Sequence, residues 1–146
     1  NLDSPAYVVA VMIYDPAGMI FVFGSNLSGI HGAGAARFAN HHRGAVHGVG
    51  EGMTGQSYAL PTKGYHISFM PIDDVHKHVQ KFLKYSYDTK EVHDFQVTRV
   101  GTGLSGFRDE DIAQMFEYVA YPESNCFFDT AWRPFLPEGA KFWGTF

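Results

Sequence analysis

The chain has 146 residues, 45% of them hydrophobic and 18% charged, with a formal net charge of −4. That length supports one globular domain with one substantial core. The charge balance excludes the basic patch that drives non-specific nucleic-acid binding, and apolar runs such as Met19–Phe23 fall far short of the about 20 residues a membrane-spanning helix needs. Cys126 is the single cysteine, so no internal disulfide can form and a reducing compartment, the cytoplasm, is expected.

Taken in chain order, Tyr7–Tyr14 (YVVAVMIY) is β-branched and apolar and predicts a buried strand. Asp15-Pro16-Ala17-Gly18 has turn chemistry. Met19–Phe23 predicts a second buried strand, Gly24 to Gly34 a loop, and Ala33–His42 a short helix packed on a sheet. Gly44 to Gly55 is a glycine-rich connection; Ser57–Leu60 and Tyr65–Phe69 predict short extended pieces. Asp73 and Asp74 are expected to cap a helix whose apolar stripe is Val75, Val79, Phe82 and Leu83. Asp94–Val100 predicts a strand with Phe95, Val97 and Arg99 on one face, followed by a helix opened by Asp109, Glu110 and Asp111 and carrying Ile112, Phe116 and Val119. Cys126–Phe128 is expected to be the last strand. The tail, Ala131–Phe146, with Trp132, Phe135, Phe142 and Trp143 among prolines, is expected to wrap the surface. Strands alternating with helices imply a single α/β domain over residues 1–146, with a mostly parallel, mixed central sheet.

Two segments combine an apolar run, glycines and a helix start: Phe21–Lys63 and Val97–Phe116. Glycine lets backbone approach a ligand closely, and helix N-termini offer unsatisfied N–H groups to phosphate. Both loops fall at strand ends, where ligands of parallel sheets sit. A diphosphate held between them is the expectation.

These segments resemble the macrodomain, the ADP-ribose-binding family. The first loop is Val22-Phe23-Gly24-Ser25-Asn26 followed by Gly29-Ile30-His31-Gly32-Ala33-Gly34. The second is Val100-Gly101-Thr102-Gly103-Leu104-Ser105-Gly106-Phe107. Between them, Tyr58-Ala59-Leu60-Pro61-Thr62-Lys63 is similar to the lysine-bearing strand of the branch that removes ADP-ribose from DNA. The resemblance covers about Met19–Val119 and implies a three-layer α/β/α fold. It departs from the family at Phe23, where the family has an asparagine, at Ala35-Ala36, where hydrolytic members carry an acid, and at Ser105, where the lysine branch has its acid.

The resemblance implies a ligand, ADP-ribose or a related NAD-derived nucleotide, and an activity, hydrolysis of ADP-ribose from a modified protein or nucleic acid. It implies no cofactor. Its catalytic candidates are Asn26 (ribose hydrogen bonds, or a loop cap), His31 (phosphate contact or acid–base work, or a satisfied loop histidine) and Lys63 (phosphate neutralisation or a covalent adduct with an opened ribose, or a solvated lysine). Its ligand-binding candidates are Asp15, placed to read adenine, with Gly24, Ser25, Asn26, Gly32 and Gly34, then Gly101, Thr102, Gly103, Leu104, Ser105, Gly106 and Phe107. A metal is not expected: His31, His41, His42 and His47 lack zinc spacing, and His41 and His42 are adjacent on a helix and point apart. Asp109–Asp111 reads as a favourable helix start, and neither Ser57 nor Ser105 lies in a Gly-x-Ser-x-Gly elbow. Two other functions stay open: a non-catalytic sponge or sensor of an NAD-derived signal, and a structural protein whose aromatic tail builds an oligomer.

Overall fold

A computed structural model describes residues 12–146. The chain is an α/β protein built on a six-stranded sheet of order β2-β3-β1-β4-β5-β6. The strands are β1 (Ile20–Asn26), β2 (Gly52–Thr54), β3 (Ser57–Lys63), β4 (Phe95–Val97), β5 (Cys126–Asp129) and β6 (Lys141–Gly144). The helices are α1 (Gly34–His42), α2 (Ile72–Asp88) and α3 (Asp109–Ala113). β2 runs antiparallel to β3, while β3, β1, β4, β5 and β6 are mutually parallel.

The strands alternate apolar residues on both sides, the pattern of a sheet covered on both faces. Ile20, Val22, Tyr58, Leu60, Phe95, Val97 and Phe128 enter the main core with Val75, Val79 and Phe82 of α2 and Ile112 of α3. Phe21, Phe23 and Ala59 enter a separate cluster with Ala36 and Ala39 of α1. The alanines of α1 permit close packing on the phenylalanines. Pro61 is accommodated within β3 because β2 pairs only as far as Ala59.

The connections position the site. From β1 the chain passes through α1 and the β2 hairpin to β3 on one side. From β3, α2 carries it across β1 to β4 on the other side. The loops leaving the neighbours β1 and β4 therefore diverge, which makes the gap between these strand ends a topological switch point.

Several elements differ from the sequence expectation. Tyr7–Val11 lies outside the described residues. Beyond it Met12 and Ile13 are exposed, and Ile13 makes a single parallel bridge to Phe142. Tyr65–Phe69 is not extended: Tyr65–Ile67 is a 3-10 turn with His66 and Ile67 at positive φ. Asp73 and Asp74 lie in the first turn of α2 rather than capping it; Pro71 is the N-cap residue. α3 is short, and a 3-10 segment, Gln114–Val119, continues its path. The tail does not wrap the surface. Trp132, Phe142 and Trp143 are buried and Lys141–Gly144 forms the edge strand β6, so β5 is not the last strand. No helix among the described residues is long and apolar enough to cross a membrane.

A candidate ligand cavity at the strand ends

A cavity of about 620 Å³ opens over the carboxyl ends of β3, β1, β4 and β5. That volume suits a small molecule. Its floor spans three interstrand steps, roughly 14 Å at about 4.8 Å each, so the cavity suits an elongated ligand. Thr62 and Lys63 stand at the β3 end, Gly24, Ser25 and Asn26 end β1, Thr98–Val100 follow β4, and Asp129 closes β5. Gly32–Ala36 and Gly101–Ser105 form opposite walls.

The first wall ends in the N-terminus of α1. Ala33 caps this helix without a side-chain hydrogen bond, and the first turn carries no acid. The leading N–H groups are thus left to solvent or a ligand, with the partial positive charge of the helix start behind them. The loop before them is rigid. Asn26 donates through Nδ2 to the Ile30 carbonyl and accepts through Oδ1 from the Ile30 N–H, at 2.9 and 3.0 Å. Its amide therefore ties the loop rather than standing free for a ribose. Gly29, at φ +71°, lies so close to the 48–49 backbone that a Cβ would come within 2.5 Å of Gly48 C.

The second wall is a tight turn. Phe107 N–H donates to the Gly101 carbonyl at 2.9 Å and Gly106 N–H to that of Gly103 at 3.0 Å, with Gly101 and Gly106 at positive φ. Gly24 permits this loop to meet β1, because a Cβ there would reach Gly101 N at 3.3 Å. Ser105 fastens the loop to β3: its hydroxyl lies 2.8 Å from Thr62 Oγ1 and donates to the Thr62 carbonyl at 3.2 Å.

Lys63 and Arg99 are the cations lining the cavity and Asp129 the acid. Lys63 is half-buried and makes no ion pair among the described residues. Arg99 is clamped by Asp109 through Nε and Nη2, at 2.7 and 2.6 Å, and the Trp132 indole N–H donates to the same carboxylate at 2.8 Å. The Arg99 hydrogen bonds, backed by the indole, hold the Asp109 carboxyl below its usual range. Asp129 is fully buried. It accepts from Ala131 N–H at 2.9 Å, Phe146 N–H at 3.1 Å and the Thr145 hydroxyl at 3.2 Å, which pins the chain end beside the cavity.

Of the residues expected from sequence, Gly24, Ser25, Asn26, Gly32, Gly34, Lys63 and Gly101–Ser105 line this one cavity. Asp15 does not: its Oδ1 caps the Asp15–Gly18 turn by accepting from Ala17 N–H at 2.9 Å. Gly106 shapes the second loop from outside, and Phe107 packs on the core and against Phe69. His31 also lies outside the lining. It is buried edge-on against Phe23, stacked with His47, and its Nε2 is 3.1 Å from the Val49 carbonyl. Among the described residues no three His, Cys, Asp or Glu side chains form a metal-holding group.

Local sequence pattern does not mark Thr62, Thr98, Ile67, Asp129 and Phe146 as site residues, and it marks Arg99 only as part of a strand face. The Asp129 signal was an acid directly after an apolar strand; Ile67 and Phe146 carry none.

Burial, against the opposing Val49 hydrogen bond, holds the His31 imidazole below its usual value. The unfolded chain therefore binds this proton more readily than the folded one, and stability falls as pH drops below about 6.5. Urea midpoints measured from pH 7.5 to 5.5 are expected to fall in the parent and to fall less steeply in His31→Gln. Equal slopes would remove His31 as the titrating group.

No protein-family model, no curated protein and no solved structure matches the chain.

Proposed function

We propose that this cavity binds ADP-ribose or a closely related NAD-derived nucleotide, in a three-layer fold of macrodomain type with α1 on one sheet face and α2 and α3 on the other. The observation that carries the reading is the convergence of two glycine walls at a switch point between parallel strands, over an elongated floor. The diphosphate lies between the walls. Backbone N–H groups and the start of α1 meet its charge without side-chain competition. The ends of the floor differ in sign. Lys63 faces the distal ribose, and the Asp129 end, where Phe146 also lines the cavity, takes the adenosine.

Cleavage of ADP-ribose from a modified protein or nucleic acid is the activity consistent with Lys63. Lys63, having given its ammonium proton to solvent, attacks the anomeric carbon through Nζ. The bond from that carbon to the target breaks, its electron pair leaves with the target, and the target takes up the proton that Nζ sheds. Water then adds to the anomeric carbon, breaks the bond to Nζ and frees ADP-ribose and the lysine. A specific observation favours a second reading, a non-catalytic sponge or sensor. Among the described residues the one carboxylate lining the cavity is Asp129, which already accepts from three protein donors and is poorly placed for proton transfer.

A thermal-shift panel of ADP-ribose, NAD, cyclic ADP-ribose and ADP-ribose 1″-phosphate tests the ligand. At about 100 times Kd, linkage adds about 2.7 kcal/mol, a rise of roughly 5–10 °C for a chain of this size. No shift at millimolar ligand overturns the proposal. Release of ADP-ribose from modified protein or oligonucleotide, lost in Lys63→Ala, separates hydrolase from sponge.

A further inference from the structure

Ile67 holds a backbone conformation that a branched side chain disfavours. It adopts φ +58°, next to His66 at +57°, and these are the two non-glycine residues with positive φ among those described. For a β-branched side chain this is a backbone outlier. A turn needing only that geometry is served by glycine or asparagine. Core burial does not explain the isoleucine either: it is 41% exposed and belongs to none of the apolar clusters.

The surrounding backbone over-determines the strain. Gly64 N–H donates to the Ser68 carbonyl at 2.8 Å, Ser68 N–H to that of Tyr65 at 3.1 Å, and His66 N–H to Ser28 Oγ at 2.9 Å. The last bond ties the turn to the first glycine loop. The result is that Ile67, four residues after Lys63, lines the cavity.

We infer that Ile67 is a specificity-determining wall of the cavity, held in a left-handed turn so that its branched side chain rests on the apolar face of the sugar that Lys63 addresses. This rests on the ligand proposed above. Strain retained at a ligand site, where a relaxed residue would fold better, is a signature of function over stability.

The test is calorimetric titration of ADP-ribose into the parent, Ile67→Asn and Ile67→Val, with melting temperatures for each. Asparagine tolerates the left-handed region without the entropy cost of glycine. Ile67→Asn is expected to melt about 3 °C higher and to bind about tenfold more weakly. Ile67→Val keeps a branched apolar wall, and its affinity is expected to lie much nearer the parent's. Parent protein that binds no ADP-ribose overturns both this inference and the function it rests on. Parent binding with undiminished affinity in Ile67→Asn overturns the wall alone. A lower melting temperature in Ile67→Asn overturns the strain, because the isoleucine is then supporting the fold.

Discussion

Gly103→Val is expected to abolish the proposed binding of ADP-ribose while leaving the protein folded. The sequence alone suggests a turn glycine whose replacement damages both. The structure separates the two effects. Gly103 is not among the positive-φ residues, and a Cβ built there meets no heavy atom within 4 Å. A valine is therefore expected to be tolerated by the chain and, at a residue that lines the cavity, to narrow it beside the loop N–H groups. A diphosphate must approach the loop N–H groups to about 2.7–3.2 Å, a distance the added methyls obstruct. Loss of affinity by at least about 100-fold, or about 2.7 kcal/mol, is expected by calorimetric titration, with an unchanged melting temperature. Gly24→Ala is a poorer probe, since its Cβ would press on Gly101 N and Thr62 Oγ1 at 3.3 and 3.4 Å. Asp109→Asn is a poor control, because this carboxylate holds both Arg99 and Trp132. Parental affinity in folded Gly103→Val would place the anion away from the second loop.

The parts of this molecule legible in sequence are those encoded locally. Gly24 and Gly101 are legible as glycines beside strands and both line the cavity, although β1 runs on through Gly24 to Asn26 and β4 already ends at Val97, short of the expected Val100. The stripe Val75, Val79, Phe82 fixed the buried face of α2. The elements missed depend on partners far away in the chain. β2 is three residues long and exists through its pairing with β3. β6 lies in a proline-rich tail and is drawn in by β5. Once β6 is in place, Thr145 and Phe146 reach Asp129, so the β5 end of the cavity could not be read from local pattern. Tyr65–Phe69 misled for a different reason: alternating apolar residues suggest a strand, but this alternation continues around a left-handed turn. Asn26 lines the cavity, and its amide is engaged by Ile30, which is the loop-cap role its sequence setting also allows.

The largest stability effect is expected at Trp132, a residue the composition of the tail suggests is superficial. It is fully buried, packs against Phe116 and Phe128 with ring centroids 5.5 and 6.2 Å away, and donates its indole N–H to Asp109. Trp132→Ala removes a large apolar body from a core that cannot wholly collapse, a loss of about 3–5 kcal/mol. Against a total of about 5–15 kcal/mol for a domain, that removes a large share of the stability and lowers the urea midpoint accordingly. The indole also buttresses the carboxylate that clamps Arg99 at the cavity, so packing and site geometry fail together in this variant. Trp132→Phe separates them. It keeps a ring in the core and deletes the N–H, so Asp109 loses one donor while retaining Arg99. A smaller loss, about 1–2 kcal/mol for the hydrogen bond and the unfilled volume, is expected. Urea midpoints at constant m-value give both figures. A Trp132→Ala midpoint equal to the parent's would mean that the tail is not part of the core, and the contacts by which Thr145 and Phe146 reach Asp129 beside the cavity would then fall with it.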